Sequence, residues 1–300
     1  MGEMIQFCQL EQQTMLLDVD VPGDMGQVLL FTRGQLVTVY RIGTVVERQD
    51  PLIWLDLLKS HSPKVSLRML ALTPQDMRIF KILIEQRRDN RCVIVGAGQP
   101  LEQQFVAWMG QPVPALARVQ WPKSEALVLL PGSGHPPLYT LFLTRNQIFQ
   151  SAGGVTEILG HQEDYEEVSL YDSEPHTLAW TEYLLHQAFA GIVLYLLEKI
   201  EKLIGRMVVN QIIRDVNFKA TAHDWNLNIN ANSINDQTIF SSPITAAEVY
   251  SRLLEVIFQN FEAALGGVML DMLIQEALFR LSPAARMVIN EYLPGVVLRK

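Results

Sequence analysis

The feature that most constrains the fold of this chain is a pattern that occurs twice. Residues 28–43 read VLLFTRGQLVTVYRIG, and residues 140–155 read TLFLTRNQIFQSAGGV. In each copy two apolar runs flank a short turn, which contains Gly34 in the first copy and Asn146 in the second. Glycine and asparagine tolerate the positive φ angles of tight turns, so each copy predicts a β-hairpin.

A further apolar segment precedes each hairpin at the same distance. Residues 14–17, TMLL, align without a gap with residues 126–129, ALVL. Both segments have the short apolar composition of a strand. We therefore predict a duplicated β module.

Helical periodicity takes over from about residue 178. Ile200, Ile204 and Met207 occupy positions i, i+4 and i+7 of a longer apolar stripe, which predicts a helical region bent near Gly205. Within this region residues 225–232 alternate between apolar residues and asparagine, the pattern of a strand with one exposed face. The fold class is thus α+β, with two small β-hairpin modules and flanking helices followed by a mostly helical C-terminal region.

Local signals mark where helices begin. Thr73 has the properties of an N-cap, Pro74 suits the first helical position, and Asp76 is acidic in the first turn. A later helix is predicted to begin either at Ser242, which precedes a proline, or at Thr245, which has capping-box spacing to the following glutamate.

Prolines at positions 112 and 114 interrupt regular structure before the second module. They separate the two β modules, and the change to helical periodicity separates the second module from the rest. The predicted division is residues 1–111, residues 112–175, and residues 176–300 with a hairpin-like insert at residues 225–240.

Charge and cysteine content exclude several classes of protein. The 300 residues carry a net charge of -8, whereas nucleic-acid binding depends on lysine and arginine. Two cysteines are too few for a disulfide framework. The longest apolar run, residues 188–197, is shorter than the roughly 20 residues that span a bilayer, and the first residues lack the features of a signal peptide. We expect a cytoplasmic protein without a membrane span.

The residue patterns of catalytic and metal sites are incomplete. Gly96 and Gly98 end a predicted strand as in dinucleotide-binding folds, but Leu101 stands where the third glycine of that motif would be. Ser133 lies between glycines without forming the nucleophile motif GxSxG. The six histidines include no i, i+4 pair for a metal. We predict no catalytic, cofactor or metal site, and nucleotide binding at residues 96–98 stays an alternative.

Two families share patterns with this chain. Residues 1–90 resemble the PATAN type of bacterial regulatory domain in the order of their predicted elements. These elements are a short helix at 4–10, a strand at 15–19, the hairpin at 29–40, a helix at 54–58 and a strand at 65–72. The second hairpin resembles the opening strands of Roadblock-type domains, although the long gap before the next helix departs from their order. The resemblances imply protein partners, such as a response regulator or a small GTPase, and a homodimer.

These observations predict a non-enzymatic cytosolic adaptor or regulator in bacterial signalling. The arginines of the two hairpin turns and the apolar run after residue 187 are its candidate contacts. The candidate partner-binding residues are Arg33, Arg145, Phe189, Ile192 and Tyr195. A nucleotide-binding sensor or enzyme and a structural subunit of a larger assembly are the alternatives.

Overall fold

Antiparallel strands dominate residues Met1–Thr177 and helices dominate residues Leu178–Lys300, the two units into which the computed structural model divides. The predicted α+β class is confirmed. The structure describes residues 6–8, 10, 14–20, 26–42, 46–51, 66–86, 92–96, 100–110, 115–130, 139–144, 148–150, 158, 160, 165–172 and 177–297.

The first module forms a five-stranded antiparallel sheet in the order β4-β3-β2-β1-β5. Apolar side chains of its central strands, among them Leu17, Leu29 and Val39, are fully buried. The strands are β1 (Met15–Asp20), β2 (Gly26–Thr32), β3 (Gln35–Ile42), β4 (Val46–Gln49) and β5 (Ser66–Ala71).

A two-residue turn joins β2 to β3. Thr32 pairs with Gln35, which leaves Arg33 and Gly34 as the central residues. Both have positive φ, 48° at Arg33 and 74° at Gly34. Two positive φ angles define the turn that best matches the twist of a hairpin, so the first predicted hairpin is confirmed.

The second module belongs to a six-stranded antiparallel sheet in the order β10-β9-β8-β7-β11-β6. Its core contains Val119, Val128 and Val168, packed with Phe105 and Trp108 of the helix at Leu101–Met109. The strands are β6 (Cys92–Gly96), β7 (Ala115–Trp121), β8 (Ser124–Leu130), β9 (Tyr139–Thr144), β10 (Ile148–Gln150) and β11 (Glu167–Asp172). Helix α1 spans Pro74–Gln86, and helix α2 spans Leu101–Met109.

Strand β6 contributes to this sheet although it lies before residue 112 in the chain. It pairs with β11, and β11 pairs with β7. The six-stranded sheet therefore draws on both sides of the division that we placed at residues 111 and 112.

The two hairpins share their register near the turn. In the first copy Phe31 pairs with Leu36. At the equivalent positions of the second copy, Leu143 pairs with Ile148. Beyond this pair the registers differ by one residue, because an irregularity at Leu30 and Phe31 pairs Leu30 with Thr38, whereas the equivalent Phe142 pairs with Phe149.

The strand before each hairpin pairs differently in the two copies. In the first, Met15 of β1 lies opposite Phe31. Its equivalent, Leu127 of β8, lies opposite Leu141, two residues from the equivalent Leu143. Because side chains alternate between faces with a period of two, this shift keeps every side chain on its original face.

Helices form most of the second unit. Its central helix, α3, carries many fully buried apolar side chains, Trp180 and Leu196 among them. The elements are α3 (Leu178–Leu203), α4 (Arg206–Ala222), β12 (Leu227–Asn230), β13 (Ser233–Asp236), α5 (Pro243–Leu265), α6 (Gly267–Arg280), α7 (Pro283–Tyr292) and α8 (Pro294–Val297). The predicted bend at Gly205 is a complete break between α3 and α4, where that glycine has φ 104°.

The predicted insert is the β12–β13 hairpin. Leu227 and Ile229 are buried while the asparagines between and after them are exposed, which confirms the two-faced strand. Asn217 of α4 holds the hairpin through both backbone groups of Ile229. Its amide nitrogen donates to the Ile229 carbonyl at 2.9 Å, and its oxygen accepts the Ile229 N–H at 2.8 Å.

Candidate interaction surface

Helix α6 carries apolar residues on two opposite sides. One side packs into the second unit and is buried, and it consists of Leu270, Leu273, Ile274, Ala277 and Leu278. A surface helix normally has one apolar stripe, with polar residues opposite. The sequence of α6, GVMLDMLIQEALFR, has only three charged residues, so its outer side lacks the charged residues of a typical surface helix.

Exposed, mostly apolar side chains form a line along the outer side of α6, which we call the outer stripe. It consists of Val268, Met272, Gln275 and Phe279. The exposed fractions are 89% for Val268, 50% for Met272 and 81% for Phe279. Their spacing of four, three and four residues keeps them on one side of a helix with 3.6 residues per turn.

Helix α6 lies antiparallel to α3 within the second unit. A Cβ atom built on Gly191 would lie 2.9 Å from Leu281 Cδ2, just after the end of α6. Further along α3, the Lys199 ammonium lies 3.6 Å from Glu276 Oε2. Later residues of α3 therefore meet earlier residues of α6, so the end of α3 lies alongside the beginning of α6.

Charged groups between α3 and α6 are paired with each other. The Tyr195 hydroxyl donates to the Glu276 carboxylate, and the Arg280 guanidinium carbon lies 4.6 Å from the centre of the Tyr195 ring. The hydrogen bond from Tyr195, together with the charges of Lys199 and Arg280, lowers the pKa of Glu276. The Lys199 pKa is raised by its contacts with Tyr195 and Glu276. Glu276, which lies next to the outer stripe on this side, is thus held in its ionised form and paired within the chain.

More exposed apolar residues lie at the junction of α3 and α4. Leu203, Ile204 and Met207 are all exposed, with Met207 at 87%. The antiparallel packing of α3 and α6 brings this junction to the end of α6 that carries Val268. We call these three residues the junction residues, and they are a second group of exposed apolar side chains in this unit.

Of the two hairpin-turn arginines that we proposed as partner contacts, the structure describes Arg33 only. Arg33 is exposed at its turn, as a partner contact requires. Arg145 lies outside the described residues. Whether the two arginines act together stays a prediction.

The structure places the other candidate contacts in the interior of the second unit. Phe189 and Ile192 are fully buried, and Phe189 stacks on Tyr250 with ring centres 4.6 Å apart. Tyr195 is buried too, with its hydroxyl at Glu276. The apolar run at residues 188–197 therefore forms core, and the exposed apolar surface is on α6.

Three polar side chains meet in the interior of the second unit. The Tyr250 hydroxyl of α5 donates to Asp236 Oδ2 at 2.7 Å, and His186 Nδ1 of α3 lies 2.9 Å from the same oxygen. The Thr238 backbone N–H donates to Asp236 Oδ1 at 2.9 Å. The Asp236 side chain is fully buried. These contacts attach the end of the β12–β13 hairpin to two helices, which is a stabilising role.

The alternative nucleotide site lies at the edge of the six-stranded sheet. Gly96 ends β6, which pairs antiparallel with β11, and residues 97–99 lie outside the described residues. A dinucleotide-binding fold places its glycine turn after a strand of a parallel sheet. All strand pairs in the described part of the chain are antiparallel, so no described feature favours this alternative.

Taken together, the described elements define a two-unit α+β protein with an exposed apolar helix face. Comparisons with protein-family models, with curated proteins and with solved structures give no match. Among the described residues, no helix is both long and apolar enough to cross a membrane. Within the same residues, no three acidic, histidine or cysteine side chains are grouped to hold a metal ion.

Proposed function

We propose that this protein is a non-enzymatic adaptor or regulator that acts by binding other proteins through the outer stripe of α6. The observation that carries the proposal is the exposure of Val268, Met272 and Phe279 in line on a helix whose opposite side is already packed. Large apolar patches on otherwise well-packed proteins mark interaction surfaces.

The energetics favour a protein partner for this surface. Burying a side chain such as Met272 or Phe279 contributes about 1.5 to 3 kcal/mol each. Association also costs free energy through lost motion, so a stable complex needs several such anchors together. The outer stripe supplies three apolar anchors on a rigid helix, and the junction residues supply more.

The cellular role and the kinds of partner that we propose are those that the two resemblances imply. PATAN-type domains point to bacterial signalling and to a response regulator as the partner, and Roadblock-type domains point to a small GTPase. A cytoplasmic location is part of the same proposal. Arg33 at the first hairpin turn is a second candidate contact, on the other unit.

Site-specific photocrosslinking tests the proposal directly. Phe279 is replaced by benzoylphenylalanine in the full chain, and irradiation in cell extract is followed by mass spectrometry of the crosslinked species. The matched control is the same replacement at Phe218 of α4, which is 76% exposed. We expect a defined protein adduct at position 279 that is absent at position 218.

A second variant tests whether the adduct at position 279 depends on the apolar character of the outer stripe. Met272→Glu places a charge in the middle of the outer stripe and should abolish the adduct at position 279, while far-UV circular dichroism stays unchanged. Adducts of equal yield at both positions, or none at position 279, would refute a role for α6 in binding.

A further inference from the structure

We propose that the outer stripe binds a second copy of this chain, with the two α6 helices packed antiparallel. This inference rests on the proposed function, since it names the partner of the same surface. The occupant is inferred from the spacing, the sizes and the charges of the stripe residues.

The spacing of the outer stripe is the same in both directions. Val268, Met272, Gln275 and Phe279 are separated by four, three and four residues. This is the spacing of the core positions in a helix–helix seam. A second α6 that runs in the opposite direction presents the same series in reverse, and so the two stripes match along their whole length.

Antiparallel pairing also matches side-chain sizes. It places the small Val268 opposite the large Phe279 of the second copy, and the same pair recurs at the other end by symmetry. Met272 then lies opposite Gln275 of the second copy. Two-fold symmetric interfaces require this kind of self-complementarity. Gln275 in the centre of the seam is polar, and a polar core residue specifies the register of such helix pairs.

The charges beside the stripe favour the antiparallel arrangement over the parallel one. Met269 and Glu276 flank the seam on one side and Asp271 flanks it on the other, where Leu278 is buried within the second unit. In an antiparallel pair, like sides meet, so Glu276 faces Met269 and no acidic residue of the other copy flanks the seam opposite Asp271. A parallel pair would bring Asp271 next to Glu276 of the other helix, which is a repulsive contact between like charges.

The exposed area suits an association of moderate strength. Val268, Met272 and Phe279 are 89%, 50% and 81% exposed, so two copies that pair through this face bury six apolar side chains in one seam. The chain carries a net charge of -8, yet α6 holds only one basic and two acidic residues. Self-association through this face therefore meets little of the overall repulsion.

Sedimentation equilibrium of the full chain, at several protein concentrations, tests the proposal with two matched double variants. Val268→Lys with Phe279→Glu removes two apolar contacts but puts opposite charges face to face in the antiparallel pair. Val268→Lys with Phe279→Lys removes the same contacts and puts like charges face to face, so it should dimerise about tenfold or more weakly than the variant with opposite charges. Phe218→Lys on α4 is the single-site control and should dimerise like the unmodified chain.

The outcomes separate the inference from the proposed function. Tighter dimerisation of the variant with opposite charges than of the variant with like charges supports the antiparallel α6 pair. Equal weakening of both double variants overturns the antiparallel arrangement, and dimerisation of both with the dissociation constant of the unmodified chain places the interface elsewhere. An unmodified chain that stays monomeric overturns self-association, and the adduct at position 279 then reports whether the surface binds a different protein. Unchanged circular dichroism of each variant shows that folding is intact, as expected for exposed positions.

Discussion

Replacing Asp236 with alanine is the most severe single change that we expect in the second unit. Its carboxylate is fully buried and accepts from the Tyr250 hydroxyl at 2.7 Å and from the Thr238 N–H at 2.9 Å. His186 Nδ1 lies 2.9 Å from the same carboxylate. The substitution removes the common partner of all three groups, of which Tyr250 is fully buried and His186 and Thr238 are half-buried.

The expected loss follows from what remains after the substitution. A hydrogen bond to a charged group contributes about 1.5 to 3 kcal/mol, and Asp236 accepts two, from the Tyr250 hydroxyl and the Thr238 N–H. We therefore expect Asp236→Ala to lower the free energy of unfolding of the second unit by about 3 to 5 kcal/mol. Tyr250→Phe keeps the ring packing and removes one donor, so it should cost only about 1 to 2 kcal/mol.

Native-state hydrogen exchange read by mass spectrometry is the suitable assay, because it reports the second unit separately from the first. Peptides from α3, α5 and the β12–β13 hairpin should exchange faster in Asp236→Ala, while peptides from β1 to β3 keep the exchange of the unmodified chain. A loss below about 1 kcal/mol, or an equal loss in Tyr250→Phe, would refute the view that this carboxylate organises the cluster.

Three further predictions concern contacts of the second unit. Tyr195→Phe should raise the pKa of Glu276 toward its ordinary value of 4.5, which NMR titration measures. Because the pKa of Glu276 is lowered in the folded state, the contact stabilises the fold above pH 4.5, and this stabilisation is lost as the pH falls through the folded-state pKa. Asn217→Ala removes both hydrogen bonds to Ile229 and should cost about 1 to 3 kcal/mol in urea unfolding, whereas an unchanged midpoint would contradict the role of that amide. Ser242→Ala removes the N-cap of α5 and should cost about 1 kcal/mol, with Ser242→Thr as the control that keeps the cap.

Features set by neighbouring residues were predictable from the sequence. At the start of α1, the Thr73 N–H donates to Asp76 Oδ2 at 2.9 Å and the Asp76 N–H donates to Thr73 Oγ1 at 3.1 Å, so the predicted cap is confirmed. Of the two starts considered for α5, the structure has the one at Ser242, whose side chain accepts from the Thr245 N–H. Such contacts span three residues and depend on little else.

Features set by distant residues were not predictable in the same way. The pairing of β6 with β11 joins segments about 70 residues apart, and no local pattern specifies it. The interface suggested at residues 188–197 is core because α3 is covered on several sides, as expected for a helix that is apolar all round. Both sides of α6 are apolar, so periodicity does not tell which of them is buried, and only packing decides it.

The two-residue shift between β1 and β8 bears on how the copies have diverged since the duplication that we infer. The segment that connects β8 to β9 has eight residues and the one that connects β1 to β2 has five, although the aligned residues have the same spacing in both copies, so the copies differ in strand ends and register and not in length. A strand that slips by one residue turns its apolar side chains outward, while a slip of two preserves them. A register shift in these strands therefore preserves the apolar face only if it spans two residues. The ancestral hairpin stays recognisable for that reason.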